Sequence, residues 1–472
     1  MSTPNTHIGY LKIGEIMSCA KDKDIFFLGA GGIMMSSLAL LTKKSGFCVR
    51  GSDRCRSSLT QKLENSGVNM FYGHSAENLG DNTGVVVYTV AVSPDNPEYC
   101  EALSKGIPLI SRADYLGYIM TEYKNRIGIA GMHGKSTCTS MCAQIFLDSA
   151  KSGRSSEPTI VSGAEYASMD GAYYIGERDN FVFEACEYMD SFLDFNPTVA
   201  VLLNAEMEHV DYFKSIDQIC ESFSRYASLV GQEGTVVYNA DDENIVRSVG
   251  AVNAKKISFG LVDNADLTAT NIQSCEYPMQ FDIILHGEHF AHVSLPSHGI
   301  HNVYNALAAC AAAYSCGIDA EDIARGLGNF KGAKRRMEYK GELCGATVYD
   351  DYGHHPTEIG ATLRGVKDAC DRRLICVFQP HTYSRTAALA DKFAEAFEAA
   401  DKVIFADIYA AREINESGIT SKKLAEMIGD KATYGGSFDD IAALLRKTVE
   451  QDDLVIIMGA GDIFKLFEKM GL

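Results

Sequence analysis

RIGIAGMHGKST, residues Arg126 to Thr137, is the stretch on which the reading of the fold turns. Its first half is a short apolar run rich in isoleucine, as expected of a strand buried in a parallel sheet. A glycine turn follows, and the residues after it predict a helix beginning near Cys138. A lysine and a hydroxyl placed between strand and helix form an arrangement that cradles triphosphate. Backbone N–H groups of Gly131, His133, Gly134 and Thr137 face phosphate oxygens, Lys135 reaches the β and γ oxygens, and Ser136 is placed to ligate Mg²⁺. The strict GxxxxGK[ST] spacing is not met, because Ile129 stands five residues before Gly134. The strand–turn–helix context carries the phosphate reading instead.

The same rhythm recurs on both sides. Upstream, DIFFLGAGGIMMSS predicts a strand over Ile25–Leu28, a glycine turn at Gly29, Gly31 and Gly32, and a helix ending near Gly46. The turn partly matches the GxGxxG dinucleotide fingerprint, but Met34 occupies the third glycine position. A nicotinamide or flavin site, another nucleotide diphosphate site and a structural turn all remain open there. Further strands are expected over FCVRGSD, Val85–Val90 and Ile107–Ile110. Downstream, strands are expected at Phe181–Glu184, Thr198–Leu203, Thr347–Tyr349, Leu374–Phe378, Lys402–Ala406 and Leu454–Met458, with a helix over Asn302–Tyr314. KSGRSSEP (151–158) reads as an exposed loop. Alternating strands and helices imply an α/β fold with parallel, doubly wound sheets, divided at 1–122, 123–331 and 332–472.

Composition bounds the function. At 472 residues the chain is too long for one core. Acidic residues outnumber basic ones, 62 to 43, for a net charge of −19. Such a chain repels phosphate backbones and anionic lipid, so neither nucleic acid nor membrane is an expected partner. Any phosphate-bearing ligand must rely on a few cations and backbone donors. The 14 cysteines are scattered without a CxxC pair, which fits a reducing cytoplasm, and Cys138 and Cys142 read as packing in a helix. No signal pattern opens the chain and no apolar run is long enough to span a bilayer.

Further motifs follow in order: EACEYMDSFL (184–193), LNAEMEHVDYF (203–213), HGIHNVYNALAA (298–309), FKGAKRR (330–336), DDYGHHPTEI (350–359), QPHTYSRT (379–386) and MGAGDIF (458–464). With GAGGI (29–33), RGSD (50–53) and GMHGKST (131–137), this series resembles the Mur ligases of peptidoglycan synthesis, and within them the alanine-adding branch, from about residue 24 to the C-terminus. The resemblance implies a Rossmann-like N-terminal domain for the UDP-sugar, a central P-loop-type ATPase domain and a Rossmann-like C-terminal domain that closes over both. It implies UDP-N-acetylmuramate, L-alanine and ATP as substrates, an acyl-phosphate intermediate, and Mg²⁺, with Mn²⁺ tolerated. Monomer and homodimer are both left open.

The resemblance also distributes roles. Lys135 serves the phosphates; Ser136, Glu184 and His209 are the metal candidates; Glu187 and Asp190 lie nearby, and Glu206 is expected to orient His209 or the metal's waters. The bland reading of Glu184 is a solvated carboxylate at a strand end, and that of His209 a surface histidine. Adenine recognition maps to His301, Asn302 and Asn305, with a helix N-cap as the plain alternative for Asn302. Arg335 and Arg336 supply charge between domains, Arg335 at the ATP, and Asp350 or Asp351 contacts the ribose. His354, His355 and Arg385 address the amino acid, Arg385 through its planar fork, and either histidine is a possible base; a structural histidine pair is the alternative. Some family members carry arginine at the position of Thr382. The UDP-sugar set is Gly29, Gly31, Gly32, Ser52, Asp53, His74, Thr89 and Arg112. Positions 224 and 225 are serine and arginine, so the carbamylated lysine of several related ligases is not expected. Competing readings are a ligase that recycles whole peptides onto UDP-N-acetylmuramate, a dinucleotide-dependent oxidoreductase and a non-catalytic nucleotide sensor.

Overall fold

Runs of branched and aromatic residues bounded by turns form strands buried on both faces, and they set the frame of the protein. The computed structural model describes residues 9–472 except 90, 170, 210, 211, 263, 274–277, 333 and 412. Among these, three sheets follow one another along the chain. The first contains β1 (Asp24–Leu28), β2 (Cys48–Asp53), β3 (Asn69–Tyr72), β4 (Thr83–Tyr88) and β5 (Leu109–Ser111), in the order β3-β2-β1-β4-β5 and all parallel. The chain reverses direction across the sheet beside β1, so the Gly29 turn opens at a topological switch point where ligands collect. Val90, expected in β4, lies outside the described residues.

The second sheet has ten strands: β6 (Asn125–Ala130), β7 (Thr159–Tyr166), β8 (Gly171–Tyr174), β9 (Asn180–Glu184), β10 (Val199–Leu202), β11 (Thr235–Asn239), β12 (Lys255–Phe259), β13 (Leu267–Gln273), β14 (Met279–Leu285) and β15 (Glu288–Leu295). β6 is central, parallel to β10 and β9. The sheet is mixed, not wholly parallel as expected, because β13–β15 form an antiparallel meander. Burial alternates along β14, as a strand with one covered face requires. The helix after the phosphate turn begins at Lys135, three residues before the expected Cys138, and runs to Lys151. It packs against helices Ile300–Ser315 and Ala320–Gly328. Alanines 306, 308, 309 and 311–313 are fully buried, and their small side chains let the helices approach closely. Cys138 and Cys142 lie inside this core.

The third sheet, β16 (Glu338–Leu343), β17 (Ala346–Asp351), β18 (Leu374–Phe378), β19 (Lys402–Ala406), β20 (Ala432–Gly436) and β21 (Leu454–Met458), is parallel except for the antiparallel edge strand β16. No helix among the described residues is long and apolar enough to cross a membrane.

Candidate active site

The phosphate turn depends on glycine where the backbone is left-handed. Gly134 has φ +79°, and a Cβ there would lie 2.6 Å from Asn305 Oδ1. Lys135 folds back over the turn, donating to the carbonyls of Gly131 at 2.5 Å and Met132 at 3.0 Å, and pairs with Glu187 at 3.0 Å. Burial alone would lower its pKa, but Glu187 and its neighbours outweigh that and raise it, so the ammonium stays charged. Burial pushes the Glu187 carboxyl up; Lys135 and His209 reverse this and hold it below the usual range. Ser136 Oγ donates to Glu184 at 2.9 Å, and Glu184 also accepts from Gly163 N–H at 3.1 Å. His209 Nε2 stands 3.1 Å from Glu187. Its backbone is left-handed at φ +50°, a conformation of about 1–3 kcal/mol strain for a non-glycine residue. The N–H groups of Tyr212 and Phe213 both donate to its carbonyl and hold it there. Asp190 accepts from Tyr212 and Ser222, tying it to its own segment.

Glu206 does not orient His209. Its carboxylate lies 2.6 Å from His133 Nε2 and accepts from Thr357 Oγ1 at 2.8 Å, so it joins the phosphate turn to the third segment. Glu358, in helix Pro356–Ala369, approaches His133 Nδ1 at 3.2 Å, accepts from His354 N–H at 3.1 Å, and lies 3.6 Å from Arg336. Burial lowers the His133 pKa, but Glu358 and Glu206 outweigh it and push it up to about 10. His133 is thus an imidazolium clamped between carboxylates of two segments, its ring stacked on His355 with centroids 4.7 Å apart.

A second bridge is parallel to the first. Glu208 Oε1 lies 3.0 Å from Arg385 Nη2, and Oε2 lies 3.7 Å from His355 Nε2. Burial would raise the Glu208 carboxyl, but Arg385 and the histidines hold it down to about 2. The two histidines differ. His354 Nδ1 faces the Tyr352 carbonyl at 3.2 Å, and burial lowers its pKa to about 4, so its neutral ring leaves Nε2 as the lone pair. His355 Nδ1 accepts from Thr357 N–H at 3.3 Å, so its proton sits on Nε2. Burial and the charge on His133 keep it neutral. His354, not His355, therefore has the tautomer of a base. His133, Glu208 and His355 have ligand atoms within 4.8 Å of one another. Both ring nitrogens of His133 already face carboxylates, however, Nε2 that of Glu206 and Nδ1 that of Glu358, which favours a protonated ring over a metal ligand there.

A cavity of about 1030 Å³ opens between these elements, lined by His133, Gly134, Thr137, His301, Asn302, Asn305, Arg336, Asp351 and Glu358 among others. Burial lowers the His301 pKa to about 4, leaving a neutral ring. Asn302 is not the helix N-cap, which is Gly299; its amide donates to Ser297 Oγ and the His298 carbonyl, both at 2.8 Å. Arg335, expected at the nucleotide, is turned away: it pairs with Asp350 at 3.2 Å and donates to the Gly459 carbonyl at 2.6 Å. Arg336 takes the place on the wall. Burial raises Asp350 to about 6, whereas Asp351 lines the cavity and accepts from Met337 and Gly353 N–H. Tyr304 donates to Asp241 at 2.6 Å on the same wall, a pair that no sequence motif marked.

The first-segment residues assemble separately. Gly31 N–H donates to Asp53 at 2.8 Å, and Thr89 lies beside Gly29. Ser52 Oγ at 2.8 Å and His74 Nδ1 at 2.6 Å both meet Glu98, which is fully buried and also accepts from Asn78. Glu98 escapes a sequence reading because an acid in a first helical turn looks like an ordinary dipole partner. Arg112 opens helix Arg112–Met120 without a carboxylate partner among the described residues, and burial lowers its pKa. Met34 packs on the apolar core.

Comparison with known proteins agrees with the three-sheet fold. Three family models match in succession: Mur ligase family, catalytic domain (24–124), Mur ligase middle domain (129–313) and Mur ligase, glutamate ligase domain (335–461). UDP-N-acetylmuramate–L-alanine ligase of Caldicellulosiruptor bescii is 42% identical over 94% of this chain and 97% of its own. That of Acetivibrio thermocellus is 44% identical over 96% and 97%. The solved UDP-N-acetylmuramate-alanine ligase of Thermotoga maritima superposes with a TM-score of 0.79 at 27% identity, covering 95% of this chain and 98% of that one. A murein peptide ligase from Psychrobacter arcticus gives 0.71 at 25%, covering 95% and 99%. With matches through all three sheets and relatives above 40% identity along nearly the whole length, the chain belongs to the Mur ligase family.

Proposed function

We propose that this protein is a cytoplasmic enzyme of peptidoglycan precursor synthesis that joins L-alanine to the lactyl carboxylate of UDP-N-acetylmuramate and converts ATP to ADP and phosphate. A carboxylate oxygen attacks the γ-phosphorus and ADP leaves. The alanine nitrogen then attacks the acyl carbon, loses a proton, and inorganic phosphate departs. The observation that carries this reading is the pair of bridges from the second segment to the third, His133 of the phosphate turn to Glu358 and Glu208 of the 203–213 stretch to Arg385. These bridges support a reading in which phosphoryl donor and amino acid meet at one place.

The labour divides among 1–122 for the UDP-sugar, 123–331 for ATP and 332–472 for the amino acid. Lys135 meets the phosphates, Asn302, Asn305 and His301 the adenine, Asp351 the ribose, and Arg112 with the Gly29–Gly32 turn the diphosphate. Ser136 and Glu184 give oxygen donors that fit Mg²⁺, and His209 adds a nitrogen compatible with Mn²⁺. The bound ion supplies the positive charge that lets two anions meet. The relatives named above favour L-alanine over a peptide as the acceptor.

The test offers labelled L-alanine and the tripeptide L-alanyl-γ-D-glutamyl-diaminopimelate separately, with UDP-N-acetylmuramate and ATP. UDP-N-acetylmuramoyl-L-alanine is the expected product, and faster turnover with the tripeptide overturns the assignment.

A further inference from the structure

The proposed function gives the amino acid to 332–472, where the planar fork of Arg385 suits its carboxylate, and on that basis we infer that Glu208 receives its ammonium group. Glu208 and His209 are adjacent in the chain but their side chains serve different partners. His209 meets Glu187 beside the phosphate-turn lysine, whereas Glu208 crosses to Arg385 and His355 in the third segment. Glu208 is buried, 4% exposed, yet its carboxylate is poorly satisfied. Oε1 has Arg385 at 3.0 Å and its neighbour's N–H at 3.4 Å. Among the described residues Oε2 faces only His355 Nε2, which at 3.7 Å is beyond a hydrogen bond and is itself buried without one. A buried carboxylate with spare lone pairs is a place for a donor.

The geometry suits an α-amino acid, whose opposite charges are separated by one carbon. Arg385 and Glu208 present opposite charges side by side. In the structure they neutralise each other; an incoming zwitterion replaces one ion pair by two, its carboxylate on Arg385 and its ammonium on Glu208. An acid without an amine leaves Glu208 buried and unpaired, which is how a polar site rejects an analogue lacking one group.

The test compares wild type, Glu208→Gln and Glu208→Asp in alanine-dependent phosphate release, with alaninamide and propionate as competitors of L-alanine. Alaninamide keeps the ammonium without the carboxylate; propionate has the reverse. For Glu208→Gln the KM for L-alanine is expected to rise on the order of tenfold to a hundredfold, the range of a lost charged hydrogen bond, with the KM values for ATP and UDP-N-acetylmuramate little changed. Alaninamide inhibition should weaken in parallel while propionate inhibition holds or strengthens, because Arg385 is freed. Glu208→Asp should fall between the two. If Glu208 only positions Arg385, propionate weakens and alaninamide does not, and the inference fails. Absence of alaninamide inhibition in wild type, or equal weakening of both competitors, also overturns it. Absence of any alanine-dependent phosphate release in wild type is a different result, and it counts against the proposed function.

Discussion

Two glycine turns, each at the end of a central parallel strand, face two different tasks. At Gly29–Gly32 the chain provides no lysine, and the free N–H of Gly31 is taken by Asp53. At Gly131–Ser136 it provides a half-buried ammonium and a hydroxyl, and these are taken by Glu187 and Glu184. In both turns a carboxylate of the protein occupies a donor suited to a ligand anion. The difference lies in what is released when the anion arrives. Displacing Asp53 frees one neutral N–H, which in the proposed function meets the diphosphate together with Arg112. Displacing Glu187 frees a full positive charge, which phosphoryl transfer requires. In an acidic chain, parking carboxylates on the few cations keeps those cations buried and charged without ligand.

The comparison is broken most severely by removing the charge. Lys135→Ala should lower phosphate release by about 10³-fold or more, measured with saturating substrates. Gly134→Ala forces a left-handed non-glycine backbone and a 2.6 Å contact with Asn305. It should destabilise by about 1–3 kcal/mol in denaturant titration and weaken ATP binding. Gly31→Ala places a Cβ 2.7 Å from Asp53 Oδ2. It should weaken UDP-N-acetylmuramate binding by about tenfold, roughly 1.4 kcal/mol, while ATP binding in calorimetry holds. The smallest effect is on pH dependence. His133 has a folded pKa of about 10, above its unfolded value, so its contribution is complete below about 6.5 and is lost as pH rises toward 10. The melting temperature of wild type should therefore fall more than that of His133→Gln over that interval.

Strands were legible where both faces are buried. Leu374–Phe378, Lys402–Ala406 and Leu454–Met458 are continuous apolar runs and stand where the sequence placed them. The β13–β15 meander was not legible, because exposed faces carrying Glu288, His289 and His292 dilute the apolar signal. At the site, Lys135, Ser136 and Glu184 are local features, readable from one strand and one turn. Glu98, Glu208 and Glu358 are not. Among 62 acidic residues, nothing nearby in the chain marks Glu98 and Glu208 as buried, and Arg385 and His133, which meet Glu208 and Glu358, come from other segments. Arg335 and Arg336 show the same limit, since adjacent identical residues point to different partners.

In the proposed function the grip on the UDP-sugar is separate from the charge at the phosphate turn. Calorimetric titration of UDP-N-acetylmuramate into folded Lys135→Ala tests this directly. Affinity within about twofold of wild type is predicted, as for sites that do not share partners. A loss of about tenfold or more would contradict the division between the two turns.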